Sequence, residues 1–310
     1  MKILHSNPDF TIVDLALPTP GHEITTSVYL LKTSKIALID CGPTVSLPLL
    51  FDGLKHLNIH PENIDYILAT HIHLDHLGGL SQALKRMLQA KVIVHPKGIP
   101  HLINPRRLWQ GSLDALGEVA LKYGQPEPVD ASRLISAEEG QQIDLGSLKL
   151  KVLITPGHAP HHLSLLEHNH GFLFAGEAAG IYFPETDITR PASPPPFDLD
   201  QTLSSLQKLI ATNPHSVFYC HYGVSNHGVP TLYKYRDTLK LWLKVTSESF
   251  KPGLTLDQPL IDSVIDEVTT LDGTKNIIAG YRGQRLTTEL FFLSNSVRGF
   301  WTYCQNNYKL

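Results

Sequence analysis

The sequence predicts an α/β fold, because apolar segments of strand length alternate with segments that have helical periodicity. YILAT (66–70) and KVIVH (91–95) are short apolar runs, and residues 47–57 carry leucines at helical spacing. A second helix, predicted at 81–90, separates the two runs, and this alternation is typical of α/β rather than all-β proteins. With 310 residues, 42% of them hydrophobic, the chain can bury a large core.

Further strands are predicted nearer the N-terminus. The segments are TIVDLAL (11–17), SVYLLK (27–32) and KIALID (35–40), the last of which ends at Asp40 before Cys41-Gly42-Pro43. Residues 96–130 differ in composition, since several prolines surround a helix predicted at 108–123. We interpret residues 96–130 as an insertion beside the functional site.

Strands resume after the insertion. The predicted segments are LKLKVLIT (148–155), HLSLLEH (162–168), FLFAG (172–176) and SVFYC (216–220). The proline-rich loop RPASPPPFDLD (190–200) precedes a helix predicted at 201–211, and Asp198 or Asp200 is expected to cap its N-terminus.

The pattern becomes helical after Pro230. Three apolar stripes are expected to face a core: Leu232, Tyr235, Leu239 and Trp242; Ile261, Val264, Ile265 and Val268; Leu290, Leu293, Val297, Phe300 and Trp301. We therefore predict one domain over 1–229, which includes the insertion, and a helical extension over 230–310 that packs on it. Apolar helix faces left exposed after residue 230 would favour a homodimer.

Composition argues against several classes of protein. The net charge is −3 and Lys and Arg are scattered, so no nucleic-acid partner is expected. No stretch approaches the length of a membrane span and no secretory segment is recognisable, so no membrane partner is expected. Three widely spaced cysteines favour a reducing compartment, and a cytoplasmic protein is the expectation. The clustering of 17 histidines instead calls for metal binding or proton transfer.

The central motif is His71-x-His73-x-Asp75-His76, which follows a predicted buried strand and precedes Gly78-Gly79. Two histidines two residues apart at a strand end can present their imidazoles to one metal ion. Asp75 and His76 would point elsewhere and can serve a second ion nearby. A histidine-rich surface turn is the alternative interpretation.

The segment THIHLDHLGG resembles the signature of the metallo-β-lactamase-fold superfamily. ALIDCG (37–42), TPGHAPHH (155–162), FAGEAAG (174–180) and CHYG (220–223) resemble the other motifs of that superfamily, in the same order. This resemblance implies an αββα four-layer sandwich, here with a helical C-terminal extension. A narrower likeness, to a poorly characterised hydrolase-like subgroup, implies that the insertion and the proline-rich loop flank the metal cleft.

The resemblance also implies a ligand set for two divalent metal ions, zinc in the first place, with iron or manganese as alternatives. One ion would be held by His71, His73 and His158, and the other by Asp75, His76 and His221, with Glu177 as the bridging ligand. Most members of the superfamily have Asp at the bridging position. The longer Glu177 would need either a shifted backbone or coordination of one metal alone.

The same resemblance also implies roles for residues around the ligands. Asp40 is expected to hold the second ring nitrogen of a ligand histidine, although a turn-forming Asp is the alternative. His162 is expected to make structural hydrogen bonds. Tyr182, Tyr222 and His101 are candidates for substrate contact. His161 is expected to be an exposed imidazole and Cys220 a core residue.

The implied activity is hydrolysis of an ester, lactone, thioester or phosphoester bond in a small-molecule substrate by a metal-bound hydroxide, with Asp75 transferring the proton. Two alternatives stay open. A persulfide-dioxygenase-like enzyme would use one iron, and a sensor or binding protein would hold metal without turnover.

Overall fold

The computed structural model describes residues 1–20 and 24–308. The strands, in chain order, are β1 (Lys2–Ser6), β2 (Thr11–Asp14), β3 (Leu17–Pro18), β4 (Thr25–Thr26), β5 (Tyr29–Lys32), β6 (Ile36–Ile39), β7 (Tyr66–Leu68), β8 (Lys91–Val94), β9 (Leu134–Ser136), β10 (Gln142–Asp144), β11 (Lys149–Ile154), β12 (Leu163–Glu167), β13 (Phe172–Gly176), β14 (Ile181–Phe183), β15 (Ile188–Arg190), β16 (Ser216–Tyr219) and β17 (Val224–Ser225). The helices are α1 (Leu47–His56), α2 (Leu74–Leu77), α3 (Leu80–Leu84), α4 (Ile99–Ile103), α5 (Arg106–Leu116), α6 (Glu118–Tyr123), α7 (Leu199–Ala211), α8 (Gly228–Ser249), α9 (Gln258–Asp272), α10 (Thr274–Ile278) and α11 (Gly283–Asn307).

Two mixed sheets form the centre of the molecule. The first has the order β1-β2-β5-β6-β7-β8-β9, and the second has the order β10-β11-β12-β13-β16-β17. Within the first sheet β6, β7, β8 and β9 are parallel, whereas in the second sheet β13 and β16 are the parallel pair. β14 and β15 form a separate hairpin.

Three apolar cores separate four layers, because successive side chains of a strand point to opposite faces of its sheet. On β5, Leu30 packs toward helices α1 to α3, while Leu31 packs toward the second sheet. The outer face of the second sheet contributes Leu173 and Val217, which pack with residues of α7, α8, α9 and α11. The predicted αββα sandwich with C-terminal helices is confirmed.

Several boundaries differ from the sequence prediction. Helix α3 ends at Leu84 rather than at residue 90, where the carbonyls of Met87 and Ala90 instead accept hydrogen bonds from the Arg133 guanidinium. The helix predicted at 108–123 is two helices, which meet at Gly117 with φ of +54°. Seven strands of the described chain are not predicted from the sequence, and all of them except β1 have only two or three residues: β1, β4, β9, β10, β14, β15 and β17.

The C-terminal helices cover the second sheet. The predicted stripes of α8 and α9 are fully buried, and on α11 the stripe is buried except for Leu290, which is 39% exposed. These faces therefore pack within the chain. None of the described helices combines the length and apolar character needed to cross a bilayer.

Helix α7 offers a test of the N-terminal capping. Asp198 is the N-cap, and its Oδ1 accepts a hydrogen bond of 2.9 Å from the backbone N–H of Gln201. Replacing Asp198 with Ala leaves this donor without its partner, so we expect the free energy of unfolding in urea to fall by about 1 kcal/mol. Ser204→Ala, at an exposed position of the same helix, is the control and should change it little. Equal losses in both variants would contradict the assignment of the cap.

Candidate metal centre

The predicted ligand residues gather where parallel strands of the two sheets end. β6 and β7 are parallel neighbours, and the chain leaves them toward Asp40 and Thr70. β13 and β16 are likewise parallel, and the chain leaves them toward Glu177 and His221. Because neighbouring parallel strands end at the same edge of a sheet, each pair of residues lies side by side at one edge of the sandwich.

The histidine motif forms the connection from β7 to α2. His71 and His73 lie on the connecting segment, and Asp75 and His76 lie in the single turn of α2. The ring of His71 is central: its centroid lies 4.2 Å from that of His76, 4.5 Å from that of His73 and 5.0 Å from that of His158. The structure therefore brings the motif and the later His158 into one cluster.

Asp40 and Thr70 fix the orientation of two histidines. Asp40 is buried and accepts hydrogen bonds from the Thr70 backbone N–H at 2.8 Å and from the Thr70 hydroxyl at 2.7 Å. The Thr70 hydroxyl oxygen is then free to accept the Nδ1–H of His71 at 3.0 Å. Asp40 Oδ2 also accepts the Nδ1–H of His76 at 3.2 Å. These partners leave the Nε2 lone pairs of both histidines facing the centre.

Backbone carbonyls orient two more ligand candidates in the same way. His158 donates its Nδ1–H to the carbonyl of Ala192 at 2.8 Å, and His221 donates its Nδ1–H to the carbonyl of Thr25 at 3.2 Å. Since a carbonyl can accept but not donate, the proton must lie on Nδ1 in both rings. In the singly protonated rings their Nε2 atoms are therefore acceptors as well.

Glu177 lies among these acceptors. Its Oε2 is 2.7 Å from His158 Nε2 and 3.2 Å from His71 Nε2, and its Oε1 is 3.7 Å from His221 Nε2. On the tautomers assigned above, no hydrogen lies between the carboxylate and these nitrogens. Acceptors so close together repel one another unless a cation lies between them.

The residues present fit a bound metal. Among the described residues, His71 Nε2 and His76 Nε2 have no hydrogen-bond partner although they are buried, which is costly unless a ligand binds them. Potential ligand atoms form two groups, each with its atoms within 4.8 Å of one another: His71, His73, His158 and Glu177; and His76, Glu177, Cys220 and His221. Glu177 belongs to both groups, so its longer side chain reaches both. The Sγ of Cys220, expected as a core residue, is buried beside the second group.

Asp75 lies next to His76 and His221 of the second group and lines the cavity. Its Oδ2 lies 3.2 Å from His76 Nε2 and 3.5 Å from His221 Nε2. Its side chain is 18% exposed, against 7% for Glu177. Asp75 is thus the carboxylate of the cluster that is more accessible to a small molecule.

The electrostatics of the cluster favour positive charge. Burial alone would raise the pKa of Glu177, but His158 and His71 hold it well below its usual range. Burial alone would likewise raise the pKa of Asp75, but His76 and His221 hold it well below its usual range. Burial and His158 lower the pKa of His73 to about 4, so this ring is neutral at pH 7, as a metal ligand must be. Against the effect of burial, Asp75 and Asp40 hold the pKa of His76 well above its usual range, and Glu177 raises that of His158. The ionised carboxylates therefore attract positive charge, either protons on these rings or a metal ion.

His162 supports the backbone of Glu177. Its Nε2 accepts the backbone N–H of Glu177 at 3.0 Å, and its Nδ1–H is donated to the Thr155 hydroxyl at 2.9 Å. Glu177 follows Gly176, whose φ is +58°, and a side chain at Gly176 would overlap the His162 ring. His162 therefore makes the structural hydrogen bonds expected of it.

A cavity of about 310 Å³ opens onto the cluster. Two of the candidates for substrate contact, His101 and Tyr222, line it. Tyr182 lies elsewhere: it is buried, its hydroxyl donates to Asp187 at 3.1 Å, and its ring stacks on Tyr219 in the core beneath the C-terminal helices. Its neighbour Ile181 lines the cavity instead, because alternate residues of β14 point in opposite directions.

Two further residues line the cavity although they are not predicted from the sequence to do so. His161, expected to be exposed, lines the cavity and stacks parallel to His71 with 6.3 Å between centroids. Burial and the neighbouring His73 lower the pKa of His161 to about 2. Arg190 also lines the cavity, and its Nε lies 2.7 Å from Glu289 on α11. The partner is distant in sequence, so the sequence carries no signal for this ion pair.

These features define an α/β sandwich with a histidine- and carboxylate-rich site able to bind metal, and comparison with known proteins agrees. Residues 21–221 match the description "Metallo-beta-lactamase superfamily". The metallo-beta-lactamase fold-containing protein ST1585 of Sulfurisphaera tokodaii is 33% identical over 226 residues, which cover 71% of this chain and 78% of that protein. The chain therefore belongs to the metallo-beta-lactamase superfamily.

Other relatives are more distant. A hydroxyacylglutathione hydrolase of Aeromonas salmonicida is 29% identical over 194 residues, which cover 60% of this chain and 56% of that protein. Among solved structures, a metallo-beta-lactamase family protein of Thermus thermophilus has a TM-score of 0.70 at 19% identity and covers 97% of this chain and 94% of that one. The structural likeness supports the fold.

Asp40 provides a test of how the ligands are held. In Asp40→Asn, an NH2 group replaces one carboxylate oxygen. The Oδ1 acceptor of the Thr70 backbone N–H and the Oδ2 acceptor shared by the Thr70 hydroxyl and His76 Nδ1–H therefore cannot both be kept. We expect zinc affinity, measured by competition with a chromogenic chelator, to fall about 10- to 100-fold. Asp144→Asn, at an exposed carboxylate, is the control. Unchanged affinity in a folded Asp40→Asn protein would contradict this role.

Proposed function

We propose that the protein is a metal-dependent hydrolase that acts on an ester, lactone, thioester or phosphoester bond of a small molecule. The observation that carries the proposal is the convergence of histidine ring nitrogens and two carboxylates at the floor of an open cavity. The hydroxyacylglutathione hydrolases among its relatives support hydrolysis.

The proposed ligands are His71, His73 and His158 for one ion and Asp75, His76 and His221 for the other, with Glu177 between them. Histidine and carboxylate suit zinc, and also iron or manganese. When bound, such ions lower the pKa of water and polarise the scissile carbonyl or phosphoryl group.

The chain's own residues have separate tasks in this proposal. Asp40 and the carbonyl of Ala192 keep the ligand rings in the tautomer that leaves Nε2 unprotonated. Asp75 is ionised and accessible, so its carboxylate can accept the proton released by the attacking water and pass it to the leaving group. His161 lines the same cavity and can contact the substrate as a neutral ring.

The activity can be tested with His73→Ala and His158→Ala. Each change removes a ligand from the first group, so hydrolysis of any substrate found in a panel of esters, lactones, thioesters and phosphoesters should fall below detection. Circular dichroism should show that both variants keep the fold. His60→Ala, at an exposed histidine outside the cluster, should retain the activity of the unaltered protein. Full activity in both ligand variants would contradict the proposal.

The same panel distinguishes the other functions. Consumption of oxygen with a persulfide by protein that carries one iron would indicate a dioxygenase. Binding of metal and of a small molecule, without turnover on any substrate in the presence of zinc, manganese or iron, would indicate a sensor.

A further inference from the structure

The walls of the cavity point to one chemical class of substrate. Its floor is the ligand cluster, and three segments form the sides: helix α5, the proline-rich loop and helix α11. A cavity of about 310 Å³ is at the small end of the range for small-molecule sites. The shape and chemistry of these walls therefore determine which substrate group, attached to the bond that is broken, can be bound.

Helix α5 presents one face to the cavity. The residues of this face that line the cavity have the spacing of a single helical face: Arg107, Leu108, Gly111, Ser112, Ala115 and Leu116. Leu108 and Leu116 are half-buried and also pack against the cluster of Leu74, Ala120 and Tyr123, whereas Gly111 and Ala115 are exposed. Leu108 and Leu116 give the wall its apolar character. Gly111 and Ala115 have small side chains and leave space in the cavity beside the helix.

The opposite walls are also apolar. Pro194, Pro195 and Pro196 line the cavity from the proline-rich loop, and Phe292 lines it from α11. The buried cation Arg190 does not require an anionic substrate, because Glu289 lies 2.7 Å from its Nε and balances its charge. Arg107, an exposed cation, also lines the cavity, but most of the lining is apolar. A neutral apolar group therefore matches these walls better than a charged one.

We infer that the substrate carries an unbranched apolar chain or an aryl group that lies along α5, with Gly111 and Ala115 providing its space. This inference rests on the proposed function, since it assigns the part of the substrate that extends from the bond to be broken. Each methylene buried against the walls should raise kcat/KM about fourfold until the cavity is full.

Gly111 allows a clean test. A Cβ at this position would meet no atom within 4 Å, and its backbone is helical, so Gly111→Leu adds a side chain to the cavity without strain. In a series of p-nitrophenyl esters from acetate to decanoate, kcat/KM should rise with chain length and then level off. Gly111→Leu should lower the ratio of kcat/KM for the longest ester to kcat/KM for the acetate by tenfold or more.

The matched control is Gln110→Leu, which adds the same side chain to an exposed position of α5 that does not line the cavity. It should keep the chain-length profile of the unaltered protein. A flat profile, a preference for esters that bear a carboxylate, or equal effects of the two leucine variants would overturn the inference.

A binding measurement separates this inference from the proposed function. Alkyl hydroxamates of increasing length combine a metal-binding head with an apolar tail, and calorimetric titration of zinc-loaded protein requires no turnover. Affinity that increases with tail length, and is reduced for long tails by Gly111→Leu, supports the inference even if no ester is hydrolysed. In that case the hydrolase proposal alone fails. Affinity independent of tail length overturns the inference.

Discussion

The site depends on electrostatic repulsion between hydrogen-bond acceptors that the fold holds close together. His71, His76, His158 and His221 each give their Nδ1 proton to an acceptor in the protein, and the resulting Nε2 lone pairs face Glu177 or Asp75. Without a cation this arrangement is unfavourable, because acceptors meet acceptors in a buried place. The surrounding structure holds them there, which is the preorganisation that a metal centre requires.

The fold supplies this arrangement through its strand ends. Asp40 follows β6 and Glu177 follows β13, and each of these strands has a parallel neighbour that delivers a second residue of the site. The three apolar cores keep the sheets in place, so the polar cluster can occupy the edge of the sandwich. The C-terminal helices add the partner of Arg190 and part of the cavity wall.

The sequence predicts what depends on local pattern and spacing. The long apolar strands, helix α7 with its cap at Asp198, and the clustering of the histidine motif are examples. It does not predict features that depend on distant contacts. Helix α3 ends before the predicted residue 90, and the Arg133 guanidinium binds the carbonyl of Met87 beyond its end. His161 lines the cavity because of the conformation of its loop. The side-chain direction of Tyr182 depends on the register of a hairpin that the sequence does not indicate.

The most direct test of this account is the metal content of the purified protein, measured by plasma mass spectrometry after reconstitution with zinc or manganese. The two groups of acceptors that share Glu177 predict about two equivalents of divalent metal per chain. In Glu177→Ala, which removes the shared ligand, both equivalents should be held more weakly. A folded protein that retains no metal after reconstitution would contradict the account.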